Sequence, residues 1–381
     1  LGLVLKVKYK FKFDRKSSKG IKRPCLILFN HQTSFDQFAV SMGFKFGINF
    51  VANDSIFRHG IGSFLMKAIA RPIPISKGTT DPVAVRNIIS AIKKGGAVAL
   101  SPSGNRSFFG GECVIDPVIG KLSKSLKVPV VLVNLLGGFL TKPRWSNKPN
   151  KGKMTGKVVR VIKPNELAEL SADDIFGIIN KELSFNDYDF NKKAQIKFKG
   201  KHKAEYLESV LFYCPECGEI NGLKSDGNYF SCSHCKMRVA VNNTGFFERI
   251  ENAKKIPKTL VEWGQKQLEF IKEFDFTQFK DKPVFSDSKI IFSSVIRAKK
   301  QKFISKGEIA LYADKFLICG KVIPLKDVKE MSIGVSKLSI YTEKDIYAID
   351  ADKNVNLFKY MVCGYHVRNY LLDIKEEYYG Y

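Results

Sequence analysis

An α/β fold built around a mostly parallel sheet, extended by a zinc ribbon and a small β-rich domain with a C-terminal helix, is what this sequence predicts. Three observations lead there. Short apolar runs alternate with helical patterns from residue 21 to about 187, two C-x-x-C pairs stand fourteen residues apart, and β-rich runs follow to the end. At 381 residues the chain has material for two or three domains, and 44% hydrophobic and 12% aromatic content excludes a disordered polymer.

The elements follow in order. Lys6, Lys8, Lys10 and Lys12 alternate with Val7, Tyr9, Phe11 and Phe13, a period-two pattern that predicts a strand with one basic and one apolar face. Such a strand suits a sheet edge, where lysines discourage pairing, and also a surface lying against anionic headgroups. Cys25–Phe29, Ile48–Ala52, Ala97–Leu100 and Val130–Leu135 read as buried strands; Phe35–Met42 and Asp81–Lys94 read as helices, the second capped by Asp81 and ended by Gly95. Lys192–Lys203 is polar and basic and marks a boundary. Leu260, Trp263, Gln267, Phe270, Ile271 and Phe274 form a helical stripe. Short runs at Ile309–Tyr312, Phe316–Ile318, Lys321–Pro324 and Lys337–Tyr341 predict an antiparallel sheet, and Asn354–Glu376 a helix with Val355, Phe358, Met361, Val362, Tyr365 and Leu372 on its apolar side. The expected divisions are 1–190, 191–245 (linker and ribbon), 246–285 (connector helix) and 286–381, the last resembling a pleckstrin-homology module in its topology.

Charge narrows the partners. Lys and Arg number 63 against 37 Asp and Glu, a net +26, which favours polyanions: nucleic acid, an anionic membrane surface or phosphorylated substrates. Nine of the first 24 residues are basic. The longest apolar run, Val128–Leu140, is broken by Pro129 and Gly137-Gly138 and is short of a membrane span. Leu1–Leu5 fits the tail of an apolar anchor lying upstream, so the expected location is cytoplasmic, peripheral at the inner face of a membrane.

Asn30-His31-Gln32-Thr33-Ser34-Phe35-Asp36 stands at a strand-to-helix turn. Ser34 and Gln37 fit a capping box, which starts the helix at Phe35 and leaves His31 in the loop. That matters because residues five apart on one helix point about 140° apart and cannot meet. From the turn, a carboxylate at Asp36 can hold one imidazole nitrogen while the other faces substrate, a base with its orienter. After the strand at 97–100 comes Ser101-Pro102-Ser103-Gly104-Asn105-Arg106-Ser107, in which a glycine lets backbone approach a ligand and a guanidinium can grip phosphate.

With these two motifs in view, the sequence resembles the glycerolipid acyltransferases of the lysophosphatidic acid acyltransferase type, over about residues 21–187. The family's first block, N-H-x-S/T-x-x-D, matches at Asn30, His31, Thr33 and Asp36. Its third, F-P-E-G-T-R-S, matches at Pro102, Gly104, Arg106 and Ser107 and departs at Ser101, Asn105 and Ser103, the last standing where the family has Glu. Arg71-Pro72-Ile73-Pro74-Ile75-Ser76-Lys77-Gly78 resembles the second block with Lys77 in the place of its Arg, and Val128–Val133 resembles the fourth. The resemblance implies transfer of a fatty acyl group from acyl-CoA or acyl-carrier protein to the hydroxyl of a lysophospholipid or glycerol phosphate, in phospholipid synthesis. It implies His31 as base, Asp36 as orienter, and Lys77, Ser103, Gly104, Asn105 and Arg106 around the acceptor. No nucleophile is called for, and Cys25 and Cys113 read as buried small residues.

Cys214, Cys217, Cys232 and Cys235 complete a four-thiolate shell for structural Zn²⁺, closed to chemistry. Two other functions fit parts of the chain. A nucleic-acid-binding zinc ribbon would suit the net charge, but Phe212–Val241 carries Lys224, Lys236 and Arg238 against Glu216, Glu219 and Asp226 and is neutral. A lipid-binding pseudoenzyme would follow from Ser103.

Overall fold

The computed structural model describes residues 2–53, 72–75, 81–295, 301–334 and 336–375. The N-terminal sheet comprises β1 (Lys12–Phe13), β2 (Cys25–Phe29), β3 (Ile48–Asn53), β4 (Ile73–Ile75), β5 (Ala97–Leu100), β6 (Val130–Leu136) and β7 (Thr155–Ile162). Among the described residues its order is β1-β7-β6-β2-β5-β3-β4, and every pairing is parallel except β6 with β7. A strand buried on both faces needs an unbroken apolar run, which β2 supplies: Cys25, Ile27 and Phe29 pack into one layer, Leu26 and Leu28 into the other. The helix Pro82–Lys93 packs Ala84, Ile88 and Ile92 on the second layer; Asp81 caps it by accepting from Val83 N and Ala84 N.

Because β2 and β5 are parallel neighbours, the loops leaving their carboxyl ends emerge side by side. These are residues 30–35 and 101–107. Crevices at this edge are where open α/β sheets bind ligands.

Three expectations need correction. Residues 6–13 do not form one strand. Gly2–Lys8 is a helix, and only Lys12–Phe13 pairs, with Thr155 and Gly156 of β7. Leu5 and Tyr9, a helical turn apart, are both buried, and Tyr9 stacks on Phe35 at 4.8 Å, so contacts with the core override the alternation. Nor is there a capping box at Ser34. The helix runs from Asp36 to Ser41 behind Phe35, whose ring has no acceptor with which to cap it, and the N–H groups of Gln32 and Thr33 turn onto Asp36. Leu372, assigned to the apolar side of the last helix, is 42% exposed and lies just past that helix's end at Leu371.

A second sheet, order β11-β10-β9-β8, is antiparallel: β8 (Leu223–Asp226), β9 (Tyr229–Cys232), β10 (Arg238–Val241) and β11 (Phe247–Glu251). The helix Leu260–Glu273, opened by a Thr259–Glu262 capping box, buttresses it. Trp263 Nε1 donates to Tyr213 O at 2.9 Å, and Gln267 Oε1 accepts from Phe212 N at 2.8 Å.

The third sheet is antiparallel in order β15-β14-β13-β12-β18-β17-β16: β12 (Phe285–Val295), β13 (Gln301–Leu311), β14 (Lys315–Ile318), β15 (Lys321–Pro324), β16 (Val328–Ile333), β17 (Lys337–Thr342) and β18 (Ile346–Asp350). The helix Leu357–Leu371, capped by Asn356, closes it. This helix is buried on nearly all sides, because the rest of the chain covers the side turned away from the sheet. Phe108 and Phe109, from the loop after β5, meet Phe358 at ring separations of 4.6 and 5.6 Å. One buried cluster therefore runs from the N-terminal sheet's loops through the ribbon into the C-terminal sheet. Lys359 is buried within this junction; its ammonium contacts Asp287 at 2.7 Å and Asn221 of the ribbon at 3.1 Å. No helix among the described residues is long and apolar enough to cross a membrane.

Candidate active site

His31 leaves β2 into a loop whose shape is set by one carboxylate. Asp36 is fully buried, yet four donors converge on it: Gln32 N at 2.6 Å, Thr33 N at 2.9 Å and His31 Nδ1 at 2.8 Å on Oδ2, and Thr33 Oγ1 at 2.5 Å on Oδ1. An acceptor-only carboxylate satisfies them all. With Nδ1–H given to Asp36, the imidazole keeps a lone pair on Nε2, and the ring is 25% exposed. The geometry is that of a base with an orienting acid.

The loop 101–107 is brought to the same place. Ser107 N donates to His31 O at 3.0 Å, and Gly104 N closes a turn on Ser101 O at 3.2 Å. Gly104 has φ +63° with open space where a Cβ would stand, so it is required by the turn and leaves room for a ligand. Ser103 Oγ donates to Asn105 O at 3.0 Å and is 3.0 Å from Ser101 Oγ. Arg106 is half-buried; burial lowers its hold on its proton and the nearby charge of Asp36 opposes that effect, so guanidinium and carboxylate share one electrostatic neighbourhood. His31, Asp36, Ser103, Gly104, Asn105 and Arg106 thus come together, whereas Lys77 lies outside the described residues.

Several supporting contacts carry no sign in the sequence, among them those of Asn30, which stands there only as a motif position. Asn30 makes a two-bond clamp to Leu135 of β6, at 2.7 and 2.8 Å. Gln32 Nε2 donates to Asp187 at 2.8 Å, and Gln32 Oε1 accepts from Gly138 N at 2.8 Å. Asp187, wholly buried, also accepts from Gly137 N and Phe139 N, both at 2.9 Å; burial nevertheless pushes its carboxyl up to about 6. Lys142 adds charge: burial, with Lys353, Arg106 and Lys8 nearby, pulls its ammonium down to about 8. Only a lysine's position in space, not its place in the sequence, marks it for such a cluster. Cys25 opens β2 at the end away from His31, and burial raises its thiol to about 11 and that of Cys113 to about 12, away from the thiolate form that a nucleophile requires.

Comparison with known proteins bears on this arrangement. Residues 7–134 match the Acyltransferase family model, a stretch that contains both loops. This stretch, about a third of the chain, is similar to the acyltransferase family. A solved structure similar to the chain is the 1-acyl-sn-glycerophosphate (LPA) acyltransferase PlsC from Thermotoga maritima, at 16% identity and TM-score 0.38, covering 45% of this chain and 70% of that one. No curated protein matches the sequence. The matched stretch places its His–Asp pair and its Arg-bearing loop at the ends of adjacent parallel strands, β2 and β5.

Away from that domain, Cys214, Cys217, Cys232 and Cys235 bring four sulfurs within 4.8 Å of one another. The Cys214–Cys235 and Cys217–Cys232 separations are both 3.9 Å, far beyond a disulfide. Four thiolates at about 2.3 Å around a tetrahedral metal lie about 3.8 Å apart, so the 3.9 Å pairs already stand at metal-site spacing and the four-sulfur donor set fits a metal ion once the wider pairs draw in.

Proposed function

We propose that this protein transfers a fatty acyl group from a thioester, acyl-CoA or acyl-carrier protein, to the hydroxyl of a lysophospholipid or glycerol phosphate, as a 1-acylglycerol-3-phosphate acyltransferase does. The observation that carries the reading is the 2.8 Å contact of His31 Nδ1 with a buried Asp36 beside Arg106. Nε2 of His31 takes the hydroxyl proton as the alcohol oxygen attacks the thioester carbonyl. Asp36 holds the tautomer and stabilises the imidazolium that forms, and the proton passes to the departing thiolate. Arg106 binds the acceptor's phosphate, with Gly104 and the main chain of 103–105 allowing close approach. Lys77 is assigned to the same phosphate. Binding both substrates beside one base supplies the proximity on which direct transfer depends.

The four cysteines hold Zn²⁺ as a structural centre, and the divisions at 190, 245 and 285 separate catalytic unit, ribbon, connector and C-terminal module. An antiparallel sheet closed by one helix supports a pleckstrin-homology-like reading of that module. The net charge of +26 suits an anionic membrane surface, and we place the protein at the inner face of a membrane. The test is turnover: purified protein with lysophosphatidic acid and either acyl-CoA or acyl-carrier protein, the product read by mass spectrometry. Phosphatidic acid formation that His31→Ala abolishes is expected; equal activity in wild type and variant would reject the role of His31. Lipid binding without any turnover would make the protein a pseudoenzyme.

A further inference from the structure

Arg144 is 7% exposed, and its hydrogen-bond partners among the described residues are all main-chain carbonyls rather than carboxylates. One terminal nitrogen donates to Arg106 O at 3.2 Å. The other donates to Ile333 O and, at 3.5 Å, to Gly334 O, at the end of β16. The guanidinium lies 4.1 Å over the ring of Phe108, which in turn packs on Phe358 of the last helix. Burying a cation without a counter-ion is costly, and Arg106 alongside adds repulsion. What the fork does achieve is geometric. A rigid planar group bonded at two ends fixes the separation of the pieces it joins.

The piece it holds is significant. The carbonyl of Arg106 and the N–H of Ser107 are two ends of one peptide group. Its N–H is bonded to His31 O and its C=O to Arg144, so that peptide plane is pinned from both sides. The orientation of that plane sets the direction in which the Arg106 side chain departs.

We infer that Arg144 is a positioning residue: by clamping the Arg106 carbonyl to the end of β16, it makes the C-terminal sheet part of the scaffold that aims Arg106 at the acceptor's phosphate. The inference rests on the function proposed above. The C-terminal sheet then belongs to the active site's framework, and its docking sets acceptor affinity.

The experiment combines hydrogen exchange of the full-length protein with steady-state kinetics on Arg144→Met. Exchange at residues 104–108 should accelerate at least tenfold while β2 keeps its protection. KM for lysophosphatidic acid should rise about tenfold, with a smaller change in kcat. Arg144→Lys, which keeps the charge but reaches one side of the clamp, should fall between, and it carries the test should Arg144→Met not fold. Lys359→Met serves as a structural control: it breaks the junction elsewhere and should lower the melting temperature with exchange at 104–108 unchanged. A folded Arg144 variant with wild-type loop exchange and KM would overturn the inference, as would exchange that accelerates equally in the loop and in β2. Loop-specific exchange in a protein with no turnover would support the clamp while removing the acyl-transfer reading.

Discussion

The main chain of Ser107 donates to the main chain of His31 across 3.0 Å, joining the loop after β5 to the loop after β2 without any side chain. The bond uses no atom of the His31 side chain and none of Arg106. Side chains of residues 31 and 106 can therefore be changed with little effect on the loops that present them, and variants there report on chemistry.

Substituting the base is the most direct case. His31→Ala should lower kcat by about 10²- to 10⁴-fold, the range of general-base catalysis, with the melting temperature little changed. Asp36→Asn should lose activity comparably and stability as well, since an amide cannot accept from all four donors now aimed at the carboxylate. Denaturant titration alongside kinetics separates the two losses.

Arg106→Met should raise KM for a phosphate-bearing acceptor more than it lowers kcat, and Arg106→Lys should recover part of the affinity, because a point charge replaces a bidentate fork. Comparing lysophosphatidic acid with an uncharged monoacylglycerol checks the assignment: the variant should discriminate less between them.

Ser103→Glu restores the residue that the resembling family carries. Activity with lysophosphatidic acid is expected to rise, since a carboxylate beside Arg106 would order the guanidinium. A fall would mean that the Ser103 contacts to Ser101 and Asn105 are what this loop requires.

Asp187 makes a pH-dependent contribution whose sign follows from its raised carboxyl. Between its unfolded value near 3.8 and about 6 the folded protein takes up a proton there that the unfolded chain does not. Its contribution to stability is thus present at low pH and lost as pH rises through about 6. Relative to Asp187→Asn, wild type should gain stability between pH 7 and pH 5, measured as the difference in unfolding free energy across that window.

Removing the metal should loosen the ribbon. Chelation, or Cys217→Ser, is expected to lower the melting temperature and to alter tryptophan fluorescence, because Trp263 packs against Phe230 and Phe247 of the ribbon sheet. Metal content near one equivalent per chain, with Co²⁺ exchange producing thiolate charge-transfer bands, would confirm the ligand set.

Much of this arrangement was legible in the sequence because the relevant forces are local. Five apolar residues at 25–29 can only be a strand buried on both faces or part of a buried helix, and the turn residues after Phe29 decide for the strand. The His31–Asp36 spacing announced itself once the helix start was placed near residue 35, although the reason for that start was misread: Ser34 is exposed and Asp36 gathers the donors. Residues 6–13 failed because alternation describes a free strand, while Leu5 and Tyr9 answer to Phe35 and the sheet beneath. Arg144, Asp187 and Gln32 gave no local sign at all. Their meaning comes from partners 38 to 190 positions away, and nothing in a loop arginine's own neighbours reveals which carbonyls it will reach.

Phe108 and Phe109 are covered by Phe358, which is synthesised about 250 positions later. At roughly 5–20 residues per second, that ring reaches them some 12–50 seconds after they leave the ribosome. Until then the faces of these two rings that Phe358 covers are open to water or to whatever escorts the nascent chain. The maturing polypeptide thus carries a built-in delay, completing its working face only when its last helix arrives.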